Sequence, residues 1–140
     1  MTAPQAAPAK TIRMIHAALV TGVILFGLVA HFLLRKTTAD FGQIPPLAIN
    51  ALLGLSLCAC AVSLLLRRRV PQRATDESAD LFWTKATTPA MVMWASLEAP
   101  CLLTIYLYMR TGSPSAIGVA AVAVVLFIIL NPGYLERQNR

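Results

Sequence analysis

One carboxyl in this chain is notable for its depth in an apolar segment. Glu98 lies in Trp94-Ala95-Ser96-Leu97-Glu98-Ala99-Pro100, inside an apolar run over residues 91–109. Counted from Pro89 it is about nine residues in, or about 14 Å along a helix, close to the middle of a ~30 Å hydrocarbon core. An acidic side chain at that depth costs about 2.5–3.5 kcal/mol, so it is expected to face other helices and not lipid. Pro100 has no N–H for the Ser96 carbonyl, and its ring pushes against that oxygen, so a kink is expected beside the carboxyl. A freed carbonyl next to a protonatable group is how membrane helices build small polar sites. Glu98, Pro100 and Ser96 therefore form the candidate set for a proton or ion site, or for binding the head of a lipid or quinone-like molecule. The competing reading is structural: a neutral carboxyl bonded across helices that only fixes the bundle. Both stay open at this point.

Other chemistry is sparse. His16 and His31 are fifteen residues apart, about 22 Å on one helix, so they cannot share a metal, and both are expected near the membrane interfaces. Haem ligation would require facing histidines from a second copy. Cys58, Cys60 and Cys101 lie inside apolar runs without metal-ligand spacing, so neither a metal site nor a disulfide framework is expected. Trp94, Tyr106 and Tyr108 are expected as belt or packing aromatics. Arg67-Arg68-Arg69 reads as a topological stop signal, with an anionic-lipid site as the alternative. The sequence has no glycine-rich phosphate loop, Ser/His/Asp arrangement or exposed nucleophile. The expectation is a protein that is not an enzyme and takes no cofactor.

The elements that would hold these residues are hydrophobic helices. The chain has 140 residues, 57% of them hydrophobic and 13% charged, against about 25% charged in a soluble domain. Its mean hydropathy is +0.67. The expected fold is all-α: a polytopic membrane protein, a four-transmembrane-helix bundle built from antiparallel hairpins. Residues 1–10 read as a disordered tail and 11–34 as the first span, too long for a signal-peptide core. Residues 35–43 read as an outer loop, 44–66 as the second span opening on Pro45-Pro46, and 67–88 as a basic cytoplasmic loop. The third span is placed at 89–109, an outer turn at 110–114, the fourth span at 115–131 and a polar tail at 132–140. Leu81-Phe82-Trp83 is either an interfacial anchor or a lead-in to the third helix.

Nine of the twelve lysines and arginines fall on the side of the two termini and the central loop; Arg35, Lys36 and Arg110 fall on the other. This asymmetry predicts a bacterial inner-membrane protein with both termini cytoplasmic. The net charge of +6 is accounted for by these flanking residues, so no nucleic-acid partner is expected. Small residues mark close helix approach in lipid. Ala18 with Gly22, and Asn50 with Gly54 and Cys58, are the expected packing positions, with Ser56 and Cys60 a second row on the same helix. Residues 14–22 can also be laid over 91–99 with comparable small and apolar positions.

At Lys10-Thr11-Ile12-Arg13-Met14-Ile15-His16 and Trp94-Ala95-Ser96-Leu97-Glu98-Ala99-Pro100 the chain resembles an uncharacterised family of short four-span bacterial inner-membrane proteins, a resemblance that implies no particular activity. Glu98 is also similar in kind to the ion-carrying carboxyl of rotary ATPase proteolipid c subunits. The first span lacks their dense glycine face, and the central loop lacks their Arg-Gln-Pro turn. The functional expectation is an accessory or structural subunit in the lipid bilayer, as a homo-oligomer or within a larger membrane complex. The alternative is a proton- or ion-coupled element using Glu98.

Overall fold

In a computed structural model of the chain, residues 9–34 and 44–137 are described. Every regular element among them is helical. The expected N-terminal tail, the outer loop with Arg35 and Lys36, and residues 138–140 lie outside the described residues. Helix α1 covers Ala9–Val29 and runs on through a π-helical turn, Ala30–Leu34. Helix α2, Pro46–Leu66, opens on proline, where no internal N–H partner is needed, and closes in the 3-10 turn Arg67–Arg69. Helices α3 (Ala79–Thr111), α4 (Pro114–Ile129) and α5 (Pro132–Arg137) follow.

Two boundaries differ from the sequence expectation, each for a local reason. Helix α3 begins at Ala79, not Pro89, because Ser78 caps it: its hydroxyl accepts from the Leu81 N–H at 3.2 Å, and Asp80 sits in the positively polarised first turn. Leu81-Phe82-Trp83 is thus the first turn of a continuous helix, and Pro89 and Pro100 both lie inside it. Residues 132–137, expected as tail, fold back as α5. Asn131 makes that turn by donating to the Ile128 carbonyl at 2.9 Å and accepting from the Tyr134 N–H at 2.9 Å. Leu135 and Pro132 are buried beneath it.

Helix α3 ends on Gly112, whose φ of 66° is left-handed and whose N–H closes onto the Tyr108 carbonyl at 2.8 Å. A Cβ there strains the backbone, so Gly112→Ala is expected to cost about 1–2 kcal/mol. Gly118, in mid-helix with open space where its Cβ would go, is the control: Gly118→Ala should be neutral or stabilising by up to about 1 kcal/mol. Denaturant titration of the two variants in mild detergent checks the contrast.

Helix α3 is the centre of the bundle. Thirteen of its residues are buried, against three in α1, four in α2 and four in α4. It packs on all three other long helices. Helices α3 and α4 form an antiparallel hairpin, as expected. Helices α1 and α2 do not: among the described residues they barely touch, because α3 and α4 stand between them on the short diagonal of a rhombus.

The inward rows follow from that arrangement. Helix α1 turns in Ile12, His16 and Val23, and α2 turns in Leu53, Ser56, Cys60 and Ser63. The row in contact on α2 is therefore the Ser56/Cys60 one; Asn50, Gly54 and Cys58 lie on the outside. Ala18 and Gly22 are likewise exposed, and neither Gly22 nor Gly54 has an atom near its would-be Cβ. The small residues that do bring helices together are Ala116, Ala120 and Ala123 on α4, at spacings of four and three. The outer surface carries exposed Leu25, Leu55, Leu65, Val125 and Ile129. Among the described helices, α1, α2 and α3 are long and apolar enough to cross a membrane, and α4 is a shorter apolar helix. Such helices with such an outer face suit a bilayer.

Candidate functional site

Successive pairs on a helix point about 200° apart, so Glu98 cannot share a face with Ser96 or Pro100. Ser96 faces α2: its hydroxyl lies 2.6 Å from that of Ser63. Each serine also reaches a carbonyl of its own helix, Ala59 for Ser63 at 2.9 Å and Met93 for Ser96 at 2.7 Å. Two hydroxyl hydrogens serve these three contacts, so at most two of them are hydrogen bonds at one time. Pro100 is buried and borders a small cleft of ≈190 Å³ with Leu55, Ser56 and Leu103. The Ser56 hydroxyl there is already given to the Leu52 carbonyl at 2.8 Å.

Glu98 stands apart. It is half-buried at the edge of α3's outer face, where Ala95, Ala99 and Leu102 are exposed. No described residue donates a hydrogen bond to its carboxyl. The expected three-residue constellation is thus two separate features: a serine contact between α2 and α3, and a carboxyl on the bundle's flank.

A denser polar cluster gathers where α1 and α3 begin and α4 ends. His16 is buried, not interfacial. Its Nε2 lies 3.0 Å from the Phe127 carbonyl, and because a carbonyl only accepts, Nε2 carries the hydrogen. The imidazole stands edge-on to Trp94 at 4.8 Å and to Phe127 at 5.3 Å. Trp94 Nε1 donates to the Leu130 carbonyl at 2.8 Å, and Trp83 Nε1 donates to Glu136 Oε1 at 2.8 Å. Arg13 donates to the other carboxylate oxygen of Glu136 at 2.6 Å. Three heterocycles thus satisfy two carbonyls at the end of α4, groups that a helix end leaves unpaired, and a carboxylate on α5. The sequence signal is His16 and Trp94 within apolar segments, where a ring N–H requires a partner; Trp83, in the polar segment before the third span, carries no such signal.

The same end collects the basic residues. Arg67 lies over the Tyr134 ring at 4.9 Å, tying α2 to α5, while Arg68 and Arg69 are exposed. Arg67 and Arg68 border a ≈530 Å³ cleft with Leu64, Val70 and Gln72. In the connection before α3, Lys85 Nζ donates to Glu77 Oε1 at 2.8 Å. That hydrogen bond, with the Ala74 N–H and the charges of Lys85 and Arg73, holds the Glu77 carboxyl below its ordinary range.

At the opposite end, His31 Nδ1 and Tyr108 Oη are 2.8 Å apart and their rings are nearly parallel. Cys58 is exposed, and Cys60 and Cys101 are buried. Among the described residues, no three His, Cys, Asp or Glu side chains come together as a metal cluster would require. Set against known families, curated proteins and solved structures, the chain matches none.

Proposed function

We propose that this chain is a non-enzymatic, four-span protein of a bacterial inner membrane, acting as an accessory or structural subunit of a homo-oligomer or larger assembly. Its basic end faces the cytoplasm with both termini, in keeping with the positive-inside rule, and Arg67, Arg68 and Arg69 meet anionic headgroups there. The observation that carries the reading is Glu98: a carboxyl in mid-span, at the edge of an exposed helix face, with no hydrogen-bond partner among the described residues. At that depth an unpaired carboxyl is costly, and a hydroxyl, amide or carbonyl from a neighbouring subunit removes the cost. The small residues beside it, Ala95 and Ala99, permit close approach of another helix.

The test compares Glu98→Gln with Glu98→Leu by particle mass in mild detergent. Glutamine keeps the hydrogen bond and should keep the assembly; leucine should weaken it by roughly five- to tenfold. An unchanged mass for the leucine variant would discard the reading. The second reading, a proton- or ion-coupled element, rests on the same unpartnered carboxyl. Under it, glutamine abolishes a pH-dependent activity while the particle mass stays the same.

A further inference from the structure

Between α1, α3 and α4, toward the end away from the basic residues, lies a cleft of ≈300 Å³. Its walls are apolar, including Val23, Gly27, Ile105 and Val124, and it is roomy where α4 presents the small residues Ala120 and Ala121. Among the described residues, the polar groups bordering it are His31 and Tyr108. We infer that this cleft binds a neutral, membrane-dissolved molecule with a carbonyl-bearing ring and an apolar tail, the isoprenoid quinone class, with its ring oxygen on His31. The inference is independent of Glu98.

Three features select this class. First, the polar side chains among the described residues lining the cleft are an imidazole and a phenol, groups that hydrogen-bond a ring oxygen. Second, the wall at the polar end is flat and aromatic. His31 and Tyr108 are 5° from parallel with centroids 5.8 Å apart. A planar ring fits such a wall and an acyl chain gains nothing from it. Third, the turn that presents His31 is π-helical, Ala30–Leu34, an irregularity that recurs at functional positions because it re-aims a side chain at a cost in helix regularity.

The hydrogen-bonded pair suits both oxidation states of such a ligand. When the Tyr108 hydroxyl donates to Nδ1, Nε2 carries the imidazole hydrogen and donates to a quinone carbonyl. When Nδ1 carries it and donates to Tyr108 Oη, Nε2 accepts from a quinol hydroxyl. Binding needs only this shift of tautomer, with no electron transfer by the protein. The cleft beside Pro100 lacks an equivalent, since its serine hydroxyl is already bonded within α2.

The experiment is photolabelling of the full chain in phosphatidylcholine nanodiscs with a short-tailed azido-ubiquinone, followed by peptide mapping. Label is expected on cleft-lining segments of α1, α3 or α4, and excess unmodified short-chain ubiquinone should displace it. His31→Phe keeps a ring but removes both nitrogens, and should lower labelling about tenfold. Tyr108→Phe should produce a smaller loss of about threefold, because it removes only the group that anchors the imidazole. Ala121→Leu fills the cleft from an exposed position on α4, so it should fold normally and still lower labelling about tenfold. Labelling that ignores both His31→Phe and Ala121→Leu would overturn the inference. So would displacement by added phosphatidylcholine as effective as that by ubiquinone, which would mark the cleft as an acyl-chain groove.

Discussion

Trp94→Ala is expected to destabilise the protein by about 3–5 kcal/mol, the range for deleting a buried indole from a close-packed interior. Trp94 is fully buried, packs against His16 and Trp83, and donates its N–H to the Leu130 carbonyl where α4 ends. In lipid the association of helices depends on such packing and on interhelical hydrogen bonds, so the truncation removes both contributions at one place. Trp94→Phe separates them. It keeps an aromatic ring but leaves the carbonyl without its donor, at an expected cost of about 1–3 kcal/mol. Unfolding titrations in one detergent, followed by helical circular dichroism, measure both. A loss under about 1 kcal/mol for the alanine variant would mean that this cluster does not hold α3 to α4.

The second large effect is expected at Glu136. Its side chain is 8% exposed and accepts from Trp83 Nε1 and from Arg13, joining α5 to the first turns of α3 and α1. Glu136→Leu leaves a buried indole N–H unsatisfied and should cost about 2–3 kcal/mol, most of it from Trp83. Glu136→Gln retains an acceptor for that N–H and should cost about 1 kcal/mol or less. The Arg13 ion pair adds little because the Arg13 side chain is 57% exposed, so a double-mutant cycle between Arg13→Ala and Glu136→Gln should yield coupling under about 1 kcal/mol. A larger coupling would shift the main role from the indole to the ion pair.

The helical class, the apolar segments and the clustering of basic residues at one end were readable from composition and from the spacing of charges. These depend on local hydrophobicity, which one sequence contains in full. Which face of each helix turns inward was less readable. Gly22 and Gly54 met the small-residue criterion and face outward, whereas the alanines of α4 meet it and face inward. The difference lies in which neighbour a helix receives, a property of the whole bundle. For α3 the sequence left two readings of Leu81-Phe82-Trp83, and the Ser78 cap, eleven residues before Pro89, selects the helical lead-in. Glu98 was identifiable by its depth alone. Its separation from Ser96 and Pro100 follows from helical geometry, yet adjacency in sequence suggested a single site. The Trp83 bond to Glu136 depends on the turn at Asn131, which carries α5 back beneath the bundle, and the His16 bond depends on α4 ending beside α1.

The rhombic arrangement bears on the order in which the protein comes together during synthesis. Helices α1 and α2 emerge first and have almost no surface for one another, so neither is held in place when the second is complete. Both acquire a partner only when α3 emerges, and α4 then fills the remaining groove. The early chain thus waits in the bilayer as two independent helices, with His16 still without the Phe127 carbonyl of α4, while Ser56 and Ser63 are already bonded within α2. A chain divided between α1 and α2, with α1 supplied as a separate polypeptide, retains the packing of α1 on α3, α4 and α5.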